Sequence, residues 1–157
     1  MEGAVLFGLN PNKIIQRKAR YTIGMDTNNI WNEEIHSKNG KKFYNEESKC
    51  WYFKDCFEKF ITINESIKLG QEIIHKFILL GPRYTQIKFY KSLKSNPILV
   101  NEEGIETIGQ LDFDAGKEYP PGERQFSVTM RIGGTFIDVK AKHTKSGNSI
   151  KTKLDFN

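Results

Sequence analysis

Cysteine is scarce in this chain: Cys50 and Cys56 are the two present among 157 residues. With no second pair they cannot complete a structural zinc site or build a disulfide framework. Buried or half-buried thiols are the simpler reading. No apolar run approaches the ~20 residues that span a bilayer, and no basic, apolar and small-residue leader opens the chain. These absences point to an intracellular, cytoplasmic protein. Its length is that of one domain, enough to bury a core without disulfides or metals.

Histidine is nearly as rare. His36, His75 and His143 lie far apart in lysine-rich company, outside any hydrolase or zinc pattern. His75 and His143 fall in alternating stretches, where surface or half-buried positions are expected. Asp112 and Asp114, in "LDFDAG", share a strand face, but two carboxylates fall short of the oxygen shell that calcium requires. Gly133-Gly134 reads as a turn, with no helix after it to hold a phosphate at its amino end. No nucleophile and base, acid pair or ligand cluster assembles. The expectation is a chain that is not an enzyme and holds no metal or cofactor.

What is present is a period of two. In "QFSVTMRI", Phe126, Val128, Met130 and Ile132 share one face while Ser127, Thr129 and Arg131 share the other. "TFIDVKAKH" sets Ile137, Val139 and Ala141 together, and Ile150, Thr152, Leu154 and Phe156 alternate with Lys151, Lys153 and Asp155. Gly133-Gly134 predicts a two-residue hairpin turn, and "TKSGNS" a second connection, so the three segments form a half-buried meander.

Upstream the pattern is looser. Ile87, Phe89 and Leu93 align in "YTQIKFYKSL", as do Ile105, Leu111 and Phe113 in "IETIGQLDFD", where Gly109 marks a bulge or a close approach. "GQEIIHKFILL", Gly70 to Leu80, is apolar on both faces toward its end, so it is either buried or meant to meet something apolar. "WYFKDCFEKFITI" fits helix or strand by spacing, and its aromatic and β-branched content favours strand. "YTIGMD" is a further short strand. Residues 27–49 read as a long polar excursion carrying Trp31, Phe43 and Tyr44, with room for one helical turn, and a loop of that length is commonly functional or disordered. About eight strands and almost no helix predict an all-β fold, an antiparallel β-sandwich.

The net charge of +5 is modest. Lysines gather at Lys41-Lys42, at Lys88, Lys91 and Lys94, and at Lys140, Lys142, Lys145, Lys151 and Lys153. Many alternate with apolar residues, as on the wet face of a sheet. With no nucleic-acid motif beside them, binding to RNA or DNA is not expected.

The first residues, "MEGAVLFGLNP", place an apolar run before a glycine and a proline, the order in which a helix ends. Four stretches then resemble one family in order: "GAVLFG", "YTIGMDT", "ETIGQLDFDAGKEYPPGERQFSVTMRI" and "GTFIDVKAKHTKSGNSIKTKLDF". They resemble the heat shock protein 70 (DnaK-type) chaperones, from the last helix of the actin-like ATPase domain through the β-sandwich substrate-binding half. "GAVLFGLNP" joined to "YTIG", with a long insertion containing "FEKFI", is similar to the family's divergent heat-shock-protein-twelve-like branch, whose relatives are also described as actin-like ATPase-domain proteins.

The resemblance implies a helix remnant at 1–9, an interdomain linker at 10–20 and a substrate-binding-like sandwich at 21–157. It implies a non-catalytic, chaperone-like module that captures extended apolar polypeptide, with ATP expected only for a longer parent that includes the ATPase domain. Carried across residue by residue, the peptide-binding positions fall at Met25, Thr27, Phe77, Ile78, Leu80, Thr85 and Ile87. Residues 28–49, far bulkier than the family's small first loop, stand where they could cover, widen or fill the channel. The linker stretch "NKIIQRKAR" is basic where the family's is acidic and leucine-rich, and the resemblance implies that the family's helical lid would follow Phe156. The alternative function is a protein-interaction or scaffold domain that uses the basic sheet face or the 27–49 loop, with peptide capture lost. No membrane contact is expected, and weak self-association through an open sheet edge is.

Overall fold

The computed structural model describes residues 16–30 and 42–155. The expected helix remnant at 1–9, most of the linker, Trp31, His36 and Phe156 lie outside the described residues. Within them the chain forms eleven strands and no helix. The all-β expectation holds, with more strands than the alternation marks. No helix among the described residues is long and apolar enough to cross a membrane.

Two antiparallel sheets face each other. The first has the order β3-β4-β2-β7-β8: β2 (Thr22–Ile30), β3 (Lys42–Asn45), β4 (Cys50–Ile61), β7 (Tyr84–Ser92) and β8 (Glu106–Asp114). The second has the order β11-β10-β9-β6: β6 (Glu72–Ile78), β9 (Gln125–Ile132), β10 (Phe136–His143) and β11 (Ser149–Asp155). A small ribbon pairs β1 (Gln16–Lys18) with β5 (Ser66–Lys68), and Ala19 N–H donates to the Glu65 carbonyl. The described end of the expected linker is therefore strand, fastened to the domain.

The period-two apolar sets meet between the layers. Ile23, Met25, Ile87, Phe89, Leu111 and Phe113 face Phe126, Val128, Met130, Ile137, Val139 and Leu154, all buried in one cluster. Burying a side chain of this size contributes about 1.5–3 kcal/mol. The layers close on one side where β8 packs against β11. A Cβ added at Gly109 would lie 2.4 Å from Leu154 Cδ2, and the β7–β8 register shifts opposite it between Phe89 and Tyr90. Gly109 is thus the close approach, and it adjoins a bulge whose extra residue is Ile108.

Three expectations are corrected. The 27–49 excursion is not all loop: β2 runs on to Ile30, and β3 pairs back on β4 with Phe43 opposite Tyr52 and Tyr44 opposite Trp51. The β9–β10 turn takes in Thr135 as well as the two glycines, because Ile132 pairs Ile137 and Gly133 N–H donates to the Phe136 carbonyl. His143 is fully buried rather than half-exposed. Its Nε2 faces the Glu123 carbonyl at 2.8 Å, while Nδ1 accepts from Ser146 N–H at 3.1 Å. That pattern assigns a neutral ring with the proton on Nε2, which pins the β10–β11 turn to the 115–124 segment.

Candidate binding groove

The layers part on the side opposite Gly109. There, among the described residues, β6 is the outermost strand of its sheet and pairs with β9 alone. In an antiparallel ladder a residue's N–H and C=O point to the same side, and successive residues alternate. Leu79 N–H donates to the Arg124 carbonyl, and Gln71 O accepts from Ile132 N–H, so the odd-numbered residues of β6 serve the ladder with β9. Glu72, Ile74, Lys76 and Ile78 therefore turn their N–H and C=O groups outward, to an edge that no described strand covers. Ile74 and Ile78 are 55% and 64% exposed. Two isoleucines on a bare strand edge are what soluble proteins ordinarily avoid.

Beside this edge runs a groove of about 1180 Å³ between the layers. That exceeds the ~300–1,000 Å³ of small-molecule pockets and suits an extended ligand. All seven sequence-derived positions line it: Met25, Thr27, Phe77, Ile78, Leu80, Thr85 and Ile87. They do not play equal parts. Met25 and Ile87 are each 2% exposed and belong to the core, so they form a floor. Phe77, Thr27, Leu80 and Thr85 are half-buried walls, and Ile78 stands on the rim.

An aromatic run supports the floor. Phe113 stacks on Phe126 at 5.5 Å between centroids, Phe126 meets Phe77 at 5.5 Å, Phe77 meets His75 at 6.4 Å, and His75 stacks on Phe60 at 4.0 Å. The run begins on one sheet, passes through the other and returns. Each such pair contributes about 0.5–1.5 kcal/mol beyond its buried area. His75 Nδ1 also faces Glu58 Oε2 at 2.7 Å, tying edge strand β6 to β4.

Lys54 and Asp55 of β4 oppose a single β2 residue, Asn28, in a bulge where Asp55 takes φ 62°. The bulge turns Lys54 and Asp55 toward the groove mouth, which they line with Tyr52. Asp26 lies nearby: burial pushes its carboxyl above the usual range, against Lys88 N–H, which donates to it at 2.9 Å and pulls the other way. Burial, with Asp26 and Asp55 adding to it, pushes the Tyr90 hydroxyl up to about 12. Beyond the groove, Arg124 is buried and donates from Nε to the Tyr119 carbonyl at 2.7 Å. Its other nitrogens reach Glu47 on the β3–β4 turn and the Leu80 carbonyl at 3.5 Å. Arg124 therefore fixes the tip of the β3–β4 arm beside a groove residue.

Sequence reasoning missed Ile74, Lys76, Glu58 and Asp55 as lining residues. The signal for the first two was the doubly apolar end of "GQEIIHKFILL"; Glu58 and Asp55 arrive through pairings and a bulge that a strand's own period does not carry. Asp112 and Asp114 are engaged otherwise. Asp112 accepts from Gln86 at 3.2 Å, and Asp114 from Arg83 Nε at 2.7 Å, which holds the Asp114 carboxyl below the usual range. Among the described residues no group of three or more potential metal ligands assembles.

No family model matches the chain. It is similar over nearly its whole length to the mouse protein named heat shock 70 kDa protein 12A, with 29% identity over 99% of this chain and 23% of the relative. The human protein of the same name is 28% identical over the same shares, and human heat shock 70 kDa protein 12B is 26% identical over 99% of the chain and 24% of the relative. The chain is thus homologous to members of the 70-kDa heat shock family and spans about a quarter of the length of these relatives.

Proposed function

We propose that this domain is a chaperone-like module that binds extended apolar polypeptide in the groove beside β6. One observation carries the reading: a strand edge that no described strand covers, with outward backbone groups, borders an apolar-floored groove, and the seven positions implied by the family resemblance line it. An incoming segment adds a strand at the edge, so its backbone bonds supply affinity whatever its sequence. Side chains alternating inward meet Phe77, Met25 and Ile87, which select apolar residues. No chemical step is involved, and the homology to 70-kDa heat shock proteins supports the same reading.

The experiment is a titration of an apolar heptapeptide followed by NMR. Shifts at Met25, Phe77 and Leu80 are expected; shifts confined to Lys140 and Lys153 would reject the groove. The alternative, an interaction domain with capture lost, draws on the lysines of the outer sheet face, and much of its other surface, the 27–49 segment, lies outside the described residues.

A further inference from the structure

The outer face of β6, β9, β10 and β11 carries an unbalanced charge arrangement that strand register makes legible. One cross-strand row runs Ile74, Thr129, Lys140, Lys151, and the next runs Lys76, Ser127, Lys142, Ser149. Lys140 and Lys151 are directly opposed, an arrangement that costs stability. None of the four lysines makes an ion pair with a described carboxylate. The carboxylates on this face, Glu72, Asp138 and Asp155, all lie toward the other end of the strands, with Asp138 between Arg131 and Lys153. The patch measures about 7 Å along the strands and about 15 Å across them, from the residue rise and strand spacing of a sheet.

Position decides what such a patch serves. Lys76 and Ser127 belong both to these rows and to the lining of the groove, so the groove wraps the β6 edge and continues onto the lysine face. We propose that the polypeptide held in the groove carries a short acidic run next to its apolar stretch, and that Lys76, Lys140, Lys142 and Lys151 receive it. The proposal rests on the groove binding polypeptide. A long polyanion fits less well, because its path along the strands would cross Glu72, Asp138 and Asp155. The two rows also offer no aromatic ring for bases to stack on.

Fluorescence anisotropy on the whole chain tests this with labelled peptides that share one leucine- and valine-rich core and differ in flank: three glutamates or three glutamines. A further peptide carries the glutamates on a glycine–serine core. The glutamate flank is expected to tighten binding about tenfold at low salt, the sum of a few exposed charge pairs, with the gain shrinking as salt rises. The combined variant Lys140→Gln, Lys142→Gln, Lys151→Gln, all outside the groove lining, should erase the gain and leave the glutamine-flanked peptide unaffected. Equal affinities for the two flanks, or a gain that survives the triple variant, would overturn the acidic preference alone. Failure of the glutamine-flanked peptide to bind would overturn the groove reading and this proposal with it. Tighter binding of the glycine–serine peptide, of polyuridylate or of phosphatidylserine vesicles than of the glutamate-flanked apolar peptide would make the face a separate anion site and overturn the coupling.

Discussion

His75 of β6 and Glu58 of β4 meet at 2.7 Å across the opening between the two sheets, with the His75 ring stacked on Phe60 at 4.0 Å. This contact ties edge strand β6 to β4 of the facing sheet.

Replacing His75 by alanine removes the stacking and the hydrogen bond together, and is expected to cost about 1–2 kcal/mol in urea unfolding. Glu58→Gln keeps a hydrogen-bonding partner at this half-exposed site and should cost less than about 1 kcal/mol. Because β6 loses its brace, His75→Ala should also speed peptide release several-fold, read by stopped-flow displacement. Unchanged release with lowered stability would show that the brace does not shape the groove.

Gly109 and Leu154 make a second pair whose geometry predicts an outcome. The missing Cβ leaves room for a Leu154 methyl group that would otherwise sit at 2.4 Å, and Leu154 is fully buried. Gly109→Ala is expected to destabilise the domain by about 1–3 kcal/mol, as overpacking does. In a double-mutant cycle with Leu154→Val the two costs should be less than additive, because the smaller side chain yields the space.

Asp26 gives a pH dependence. Burial raises its folded-state pKa above the unfolded value, with Asp55 adding to the rise and the Lys88 N–H opposing it. Stability from this group is therefore fully present below the unfolded pKa and is lost as pH rises through the folded one. Asp26→Asn keeps an acceptor for Lys88 N–H and removes the buried charge. Its thermal midpoint should exceed the wild-type value near neutral pH, and the difference should fade as pH falls to ~3, below the ordinary carboxylate range.

The terminal meander was legible because Phe126 to Leu154 alternate cleanly and one face is buried along β9 and β10 and at Leu154, although Ile150 at the start of β11 is 37% exposed. Gly109 was legible on similar grounds: a glycine that interrupts an alternating strand gives up side-chain packing, which a bulge or a close approach repays. β3 was hidden because its two aromatics, Phe43 and Tyr44, are adjacent and fall on opposite faces, one half-buried and one exposed, so no apolar alternation in the sequence marks the strand. Leu93 aligned with Ile87 and Phe89 in the sequence, yet it is 71% exposed because β7 stops at Ser92. The seven groove positions came from the order of resembling segments, and the groove gathers all of them, although Met25 and Ile87 serve the core as well. Nothing within β6 itself tells that it has no second partner among the described strands. That fact, like the opposition of Lys140 and Lys151, belongs to sheet order and register, which one strand's alternation does not encode.

Backbone amide exchange, measured residue by residue with and without a saturating apolar heptapeptide, tests strand addition at β6 most directly. The N–H groups of Ile74, Lys76 and Ile78 should slow by about tenfold or more when the peptide pairs with them, while those of Ile73, His75 and Phe77, already bonded to β9, change little. Equal slowing along β6 irrespective of this alternation, or protection confined to Lys142, Lys151 and Lys153, would contradict the account.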